Sequence, residues 1–152
     1  MEKNVKILAC VDLSDSTEII MEKTEELAQG LSAKVWLLHN ALPEPGKLEF
    51  TVDPIAAREA LAKRFHVEHR QIQELAGRLR KAGIDATALL VHGATVKTIL
   101  TESSDLDVDM IVVGSHGRGM MGQLMVGSVS EGVLHKSNVP VLVIPTHKIR
   151  SD

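Results

Sequence analysis

Apolar and polar positions follow two rhythms along the chain. Five short runs, Val5–Val11, Lys34–His39, Ala86–Val91, Met110–Val113 and Val139–Ile144, are apolar almost throughout. Runs of that length with little polar alternation suit strands covered on both faces. Between them the apolar positions recur at helical spacing. Ile19, Ile20, Leu27 and Leu31 mark a first helix, with Ser14 or Asp15 placed to cap it, Glu18 completing a capping box with Asp15, and Gly30 near its end. After a turn-rich stretch holding Pro43, Pro45 and Gly46, Asp53-Pro54 reads as a cap followed by a first-turn proline. Ile55, Leu61, Phe65, Ile72, Leu75 and Leu79 then continue to Gly83. About 28 helical residues would run about 42 Å, against a domain diameter of about 38 Å, so this helix either crosses the whole domain or breaks around His66 to Arg70. Thr95–Leu106 and Ser128–Lys136 are the remaining helices, and Pro140 sits near the start of the last strand, where proline is tolerated. Strands alternating with helices predict an α/β fold, a parallel sheet with helices on both faces and right-handed crossovers.

Length and composition narrow this picture. The 152 residues contain no repeat, linker or charge block, so residues 1–152 form one domain large enough to bury a core. With 17 basic and 20 acidic residues the net charge is −3, which gives no general field for a nucleic-acid backbone or an anionic membrane. Two Phe, one Trp and no Tyr leave few rings for base stacking. Cys10 is the single cysteine, so no intrachain disulfide and no multi-cysteine metal site exists, and a reducing compartment fits. No run reaches the roughly 20 apolar residues of a membrane span, and the start lacks the apolar region of a secretory signal. A soluble, cytoplasmic protein without membrane insertion is expected.

The unusual segment follows the fourth strand. From Gly114 the chain reads GSHGRGMMGQLMVGSVSEG, with Gly114, Gly117, Gly119, Gly122 and Gly127 inside fourteen residues. Glycines let backbone N–H groups converge on an anion without a Cβ in the way. Ser128, Val129 and Ser130 then open a helix whose first amides and partial positive charge suit phosphate, and the hydroxyls of Ser128 and Ser130 add donors. A loop that simply joins strand to helix is the plainer reading, and the placement of the glycines on both elements argues against it. Gly117 to Gly122 also satisfies G-x-G-x-x-G, but the dinucleotide fingerprint belongs in the first strand-to-helix turn, with an acidic residue about 20 positions on. Here Leu142 and Val143 occupy those positions, and no Gly-Lys-Ser or Gly-Lys-Thr marks a P-loop.

The pattern Gly114-x-x-Gly117, nine residues, then Gly127-Ser128, between a DMIVVG strand and a PVLVIP strand, resembles the universal stress protein family. ILACVDLS, ending in Asp12 and Ser14, is similar to that family's first strand, so the resemblance runs nearly end to end. It implies a five-stranded parallel sheet of order 3-2-1-4-5 with an ATP or AMP site across the ends of strands one and four. By that resemblance Asp12 holds the ribose or the adenine edge, Gly114 and Gly117 line ribose and phosphates, and Gly127, Ser128 and Ser130 receive the phosphate chain, with Val129 in the backbone path. It also implies a homodimer through antiparallel pairing of the last strands, whose apolar edge would otherwise be unprotected. Two positions depart from the pattern. Cys10 replaces a proline or small residue, and Asn40 replaces a small apolar residue at the adenine, where it can either hydrogen-bond the base or crowd it.

Other residues carry two readings each. His116 in the glycine loop can meet a phosphate oxygen when protonated, or simply face solvent. His66 and His69 share a helical face at the spacing of two metal ligands, yet without an accompanying carboxylate motif they read as an exposed polar face. Cys10 reads as a buried small hydrophobe. Asp12 can cap the following helix as well as face a ligand, and beside phosphates its charge calls for Mg²⁺ or Mn²⁺. Met120, Met121 and Met125 give apolar cover to the loop or fill core. The leading functional reading is a nucleotide-binding regulator acting through an unknown protein partner. Behind it stand a slow ATP-hydrolysing enzyme with Asp12 or His116 positioning water, an interaction module whose pocket is vestigial, and an adenylating enzyme of the PP-loop kind, which VDLSDS argues against because it lacks a Gly-Gly pair.

Overall fold

A computed structural model of the chain describes residues 3–41, 53–115 and 127–146. Strands β1 (Lys6–Cys10), β2 (Lys34–Asn40), β3 (Ala86–Val91), β4 (Met110–Gly114) and β5 (Val141–Ile144) form one sheet in the order β3-β2-β1-β4-β5. Every neighbouring pair is parallel. Among the described residues four helices join them: α1 (Thr17–Leu31), α2 (Pro54–Lys81), α3 (Thr95–Asp105) and α4 (Ser128–Lys136).

Successive strand side chains point to opposite faces, so one sheet feeds two cores. Ile7, Ala9, Val35, Leu37 and Val112 pack with Ile20 and Met21 of α1 and Ile72 and Leu79 of α2. Leu8, Trp36, Leu38, Ile111 and Val113 pack on the other face with Ile99 of α3 and Val133 of α4. The central strand has no face left for water, which is why its sequence is apolar without alternation: Ile7, Leu8 and Ala9 are all fully buried. On the second face α3 and α4 cross closely, since a Cβ at Gly132 would lie 2.8 Å from Val96 Cγ2.

Two sequence expectations need adjustment, and an alternative left open by the sequence is resolved. The first helix begins at Thr17, preceded by Ser16, which makes no side-chain capping bond, so neither Ser14 nor Asp15 caps it. Ser14 is drawn instead into a turn around Asp12, and Leu13 between them takes a left-handed conformation, φ 60°. The last strand begins at Val141 rather than Val139, because the Ser137 hydroxyl holds residues 137–139 in a turn and Pro140 has no N–H for the ladder. The long helix does not break. No glycine or proline interrupts residues 66–70, and the Arg64 to Glu68 bond at 3.1 Å bridges into that stretch.

α2 is thus one 28-residue rod with an uneven grip on the molecule. Its buried residues, Ile72, Ala76 and Leu79, all lie in the last third, while Ile55 is 68% and Val67 52% exposed. Gly83, at φ 85°, ends it by letting the Ile84 amide return to the Leu79 carbonyl at 3.0 Å. A two-pronged Arg78–Glu18 pair at 2.8 and 2.7 Å ties this anchored end to α1, and the guanidinium holds the Glu18 carboxyl below its ordinary value. Among the described residues no helix is long and apolar enough to cross a membrane.

Candidate functional site

Between β1 and β4 the chain connections leave in opposite directions, β1 toward β2 and β4 toward β5. A parallel sheet opens a crevice at such a point, outside the carboxyl ends of its strands. The cleft found there is lined by Cys10, Val11 and Asp12 from the end of β1, by Gly114 and Ser115 from the end of β4, and by His39 and Asn40 from the end of β2. Ser16 and Ile20 of the α1 start, Thr95 and Ile99 of α3, and Val129 and Ser130 of α4 complete the wall.

Gly114 lies at the end of β4, where a side chain would be crowded. A Cβ there would lie 2.8 Å from both Ile20 Cδ1 and Thr146 Cγ2. Its carbonyl accepts the Ser130 hydroxyl at 2.6 Å, a bond that seats the first turn of α4 on the end of β4. Ser115, fully buried, donates its amide to the Ile144 carbonyl at 2.9 Å, and its hydroxyl accepts the Thr146 amide at 3.2 Å.

Helix starts give the cleft its electrostatics. Gly127 precedes α4 in extended geometry and has no side chain with which to cap the amides of the first turn. Ala94 before α3 and Ser16 before α1 also make no side-chain capping bond. Three helix N-termini, each with partial positive charge, therefore contribute residues to one cleft.

On the β1 side, Asp12 Oδ1 accepts from the Ser14 amide at 3.0 Å, from the Ser14 hydroxyl and, at 3.4 Å, from the Ser16 hydroxyl. These bonds organise the turn ahead of α1. His39 is buried and donates Nδ1–H to the Val11 carbonyl at 3.0 Å, with Nε2 3.6 Å from Glu68 Oε2. Asn40 donates Nδ2–H to the Gly93 carbonyl at 2.9 Å, and its Oδ1 is buried without a hydrogen-bond partner among the described residues. Cys10 is half-buried, and desolvation pushes its thiol up to about 12, as suits an unreactive apolar wall.

Of the residues singled out from sequence, Asp12, Asn40, Gly114, Val129 and Ser130 line the cleft. Gly127 and the exposed Ser128 stand at the start of α4 beside them. His116 and Gly117 lie outside the described residues, as do Met120, Met121 and Met125. Ser130's hydroxyl donates to the Gly114 carbonyl and fixes the helix start. His66 and His69 are exposed on α2 and do not line the cleft. Sequence reasoning passed over Ser16, Ile20, His39, Thr95, Ile99 and Ser115. Thr95 and Ser115 carried a usable signal, since each lies just beyond a strand end.

Known proteins share this architecture. The profile described as the universal stress protein family matches residues 4–145. Universal stress protein MJ0577 of Methanocaldococcus jannaschii is 27% identical over 152 residues, covering 91% of this chain and 93% of its own length. Its solved structure superposes with a TM-score of 0.77 at 26% identity, over 95% of this chain and 98% of that one. A universal stress protein solved in complex with cAMP superposes at 0.64 and 22% identity over 96% and 100% of the two chains. The Archaeoglobus fulgidus protein in complex with dAMP does so at 0.60 and 20% over 95% and 99%. With its profile matched from the first strand through the last, over the same sheet order that the resemblance implied, the chain belongs to the universal stress protein family.

Proposed function

We propose that the cleft binds an adenine nucleotide, ATP or AMP, and that the protein acts as a regulator whose contacts with a protein partner depend on occupancy. One observation carries this reading: the uncapped start of α4 is bolted by Ser130 to the glycine floor of a cleft at the switch point of a parallel sheet. The complexes of two structurally similar family members with cAMP and dAMP support the same ligand class.

In this reading the amides of Ser128 and Val129, helped by the Ser128 hydroxyl, receive the phosphates. Gly114 and Gly117 let the backbone approach ribose and phosphate, His116 adds a donor, and Asp12 meets the ribose. Mg²⁺ or Mn²⁺ accompanying ATP takes most of its ligands from phosphate oxygens and water, and Asp12 is the carboxylate that the described cleft residues offer it. Calorimetric titration with ATP and AMP tests the reading. A saturable one-per-chain isotherm is expected, and the absence of saturable heat with either nucleotide defeats it.

The homodimer belongs to the same proposal. β5 is an edge strand, Leu142 is 36% exposed, and the ladder bonds from Pro140 and Ile144 to β4 leave the alternate groups of Val141 and Val143 on the open edge. Val141→Lys is expected to convert a dimer to monomer in light scattering. An unchanged dimer places the interface elsewhere.

A further inference from the structure

Before its last third, α2 grips the described part of the molecule at few points. Between Asp53 and Gln71 only Ala57, Phe65 and Glu68 are as much as half-buried. Two of the three meet a histidine. The Phe65 ring stacks on His92 with centroids 5.0 Å and planes 12° apart, and His92 is held by its Nδ1 on the Ala41 carbonyl at 3.1 Å. Glu68 Oε2 lies 3.6 Å from His39 Nε2, while Oε1 accepts Arg64 Nε–H at 3.1 Å. The Glu68 side chain is 14% exposed and that of His39 8%, so water screens this pair little.

The proton inventory of His39 makes the second contact conditional. The Val11 carbonyl can only accept, so Nδ1 carries a hydrogen. In the neutral ring Nε2 then offers a lone pair, and it faces a carboxylate that also offers only lone pairs. Nε2 is accordingly buried without a hydrogen-bond partner among the described residues, an arrangement that costs free energy. A second ring proton turns the same approach into a charge-assisted contact between imidazolium and carboxylate. The groups around the ring are of few kinds. α2 brings Glu68 with Arg64 behind it, and β1 brings the Val11 carbonyl, with Asp12 beyond it bonded to Ser14 and Ser16. On β3 the register sets Leu90 opposite His39, while Cys10 and α3 belong to the other face of the sheet.

We propose that His39 and Glu68 form a proton-operated clasp that holds the middle of α2 on the carboxyl end of the sheet, engaged when both ring nitrogens of His39 carry hydrogen and slack when only Nδ1 does. Uptake of a proton at Nε2 completes the contact. α2 is therefore held more firmly as pH falls through the range in which histidines titrate, and less firmly as pH rises through it. His92 keeps its Ala41 bond and its ring contact in either charge state, so it maintains the register of α2 while His39 switches. His39 and Val11 both line the cleft, so the clasp ties the helix to the cleft wall, whatever the cleft holds.

Amide hydrogen exchange of the whole protein at about pH 8 and about pH 5.5 tests the clasp. Rates are read as protection factors against the unstructured rate at each pH, so the intrinsic pH dependence of exchange drops out. Protection across residues 55–70 is expected to rise about tenfold on acidification, with little change at Ile72 to Leu79, where the helix is anchored by apolar burial. His39→Asn keeps a donor for the Val11 carbonyl, removes Nε2 and is expected to abolish the rise. In Glu68→Gln the side-chain amide donates to the neutral ring, so the expected change reverses and protection falls on acidification. A wild-type protein without the rise overturns the inference. So does a His39→Asn protein that keeps it, which assigns the effect to His66, His69 or His92. A Glu68→Gln protein that keeps the rise overturns Glu68 as the partner. Nitrogen NMR of the wild-type imidazole serves where a variant fails to fold: His39 is expected as the Nδ1–H tautomer at the higher pH and doubly protonated at the lower, and a ring that stays singly protonated at both overturns the clasp.

Discussion

The starts of α2 and α4 solve the same problem in opposite ways. At α2 the Asp53 carboxylate accepts the Ile55 amide at 3.0 Å and Pro54 removes a donor, so the exposed helix end is closed by its own sequence. At α4 the capping position is Gly127, which closes nothing, and the investment goes into location: Ser130 locks the first turn to Gly114 at 2.6 Å inside the cleft. A helix that needs only to exist receives a cap. A helix start that keeps its amides open while being held rigidly in place is arranged to meet something else.

The widest effect expected needs no variant. Cys10 lines the same cleft, and because desolvation pushes its thiol up to about 12 the native protein holds far less thiolate near neutral pH than an unfolded chain. Labelling with Ellman's reagent is expected to be correspondingly slow in buffer and fast in denaturant. Rapid labelling of the native protein would mean that the cleft admits the reagent to this thiol. Because the folded value is raised, this thiol's contribution to stability is intact below about pH 9 and is lost as pH rises toward 12. Replacing Cys10 with Ala should flatten the stability profile across that window.

Gly127→Asp converts the α4 start into the α2 kind. The residue sits at φ −65° and ψ 163°, which aspartate adopts without strain. Melting is expected to hold or rise by a few tenths of a kcal/mol, while ATP affinity in calorimetry falls by about tenfold or more as the carboxylate takes the amides and repels phosphate. Unchanged affinity would show that the phosphates bind elsewhere. Ser130→Ala removes the lock but leaves the amides open. Urea unfolding should show a loss of about 1 kcal/mol, with nucleotide affinity reduced severalfold. Smallest is Asp53→Ala, worth about 1 kcal/mol or less, visible as reduced helical signal in circular dichroism with ATP affinity unaltered. A drop in affinity there would mean that the two helix starts are coupled.

Most of the fold was legible because its signals are local. Each strand falls in a run that is apolar almost throughout, and β3 begins and ends where the run Ala86–Val91 does. The Asp53-Pro54 start of α2 was readable for the same reason. What local pattern missed is set by contacts across the chain. Ser14 and Asp15 have the right identity to cap α1, but Asp12 captures Ser14 and the helix starts later. The bond by which Ser130 seats α4 runs to Gly114, sixteen residues earlier, and no local pattern announces it. The free oxygen of Asn40 depends on Gly93, 53 residues away, and no spacing rule connects them. The family pattern located the cleft, and tertiary hydrogen bonds determined which atoms in it are spoken for.

The floor of the cleft has one more property. Thr146, two residues past the edge strand β5, packs its methyl against Gly114 and donates its amide to Ser115, and the carbonyl of Ile144 is held by the Ser115 amide. The cleft floor and the margin of the sheet are thus one mechanical piece. A ligand that shifts residues 114 and 115 shifts that margin, and a chain that grips the margin shifts the floor. Whatever the factor by which an occupant changes the grip, thermodynamic reciprocity requires the grip to change the occupant's affinity by the same factor. The two processes answer to a single coupling constant, which can be measured from whichever side is easier to titrate.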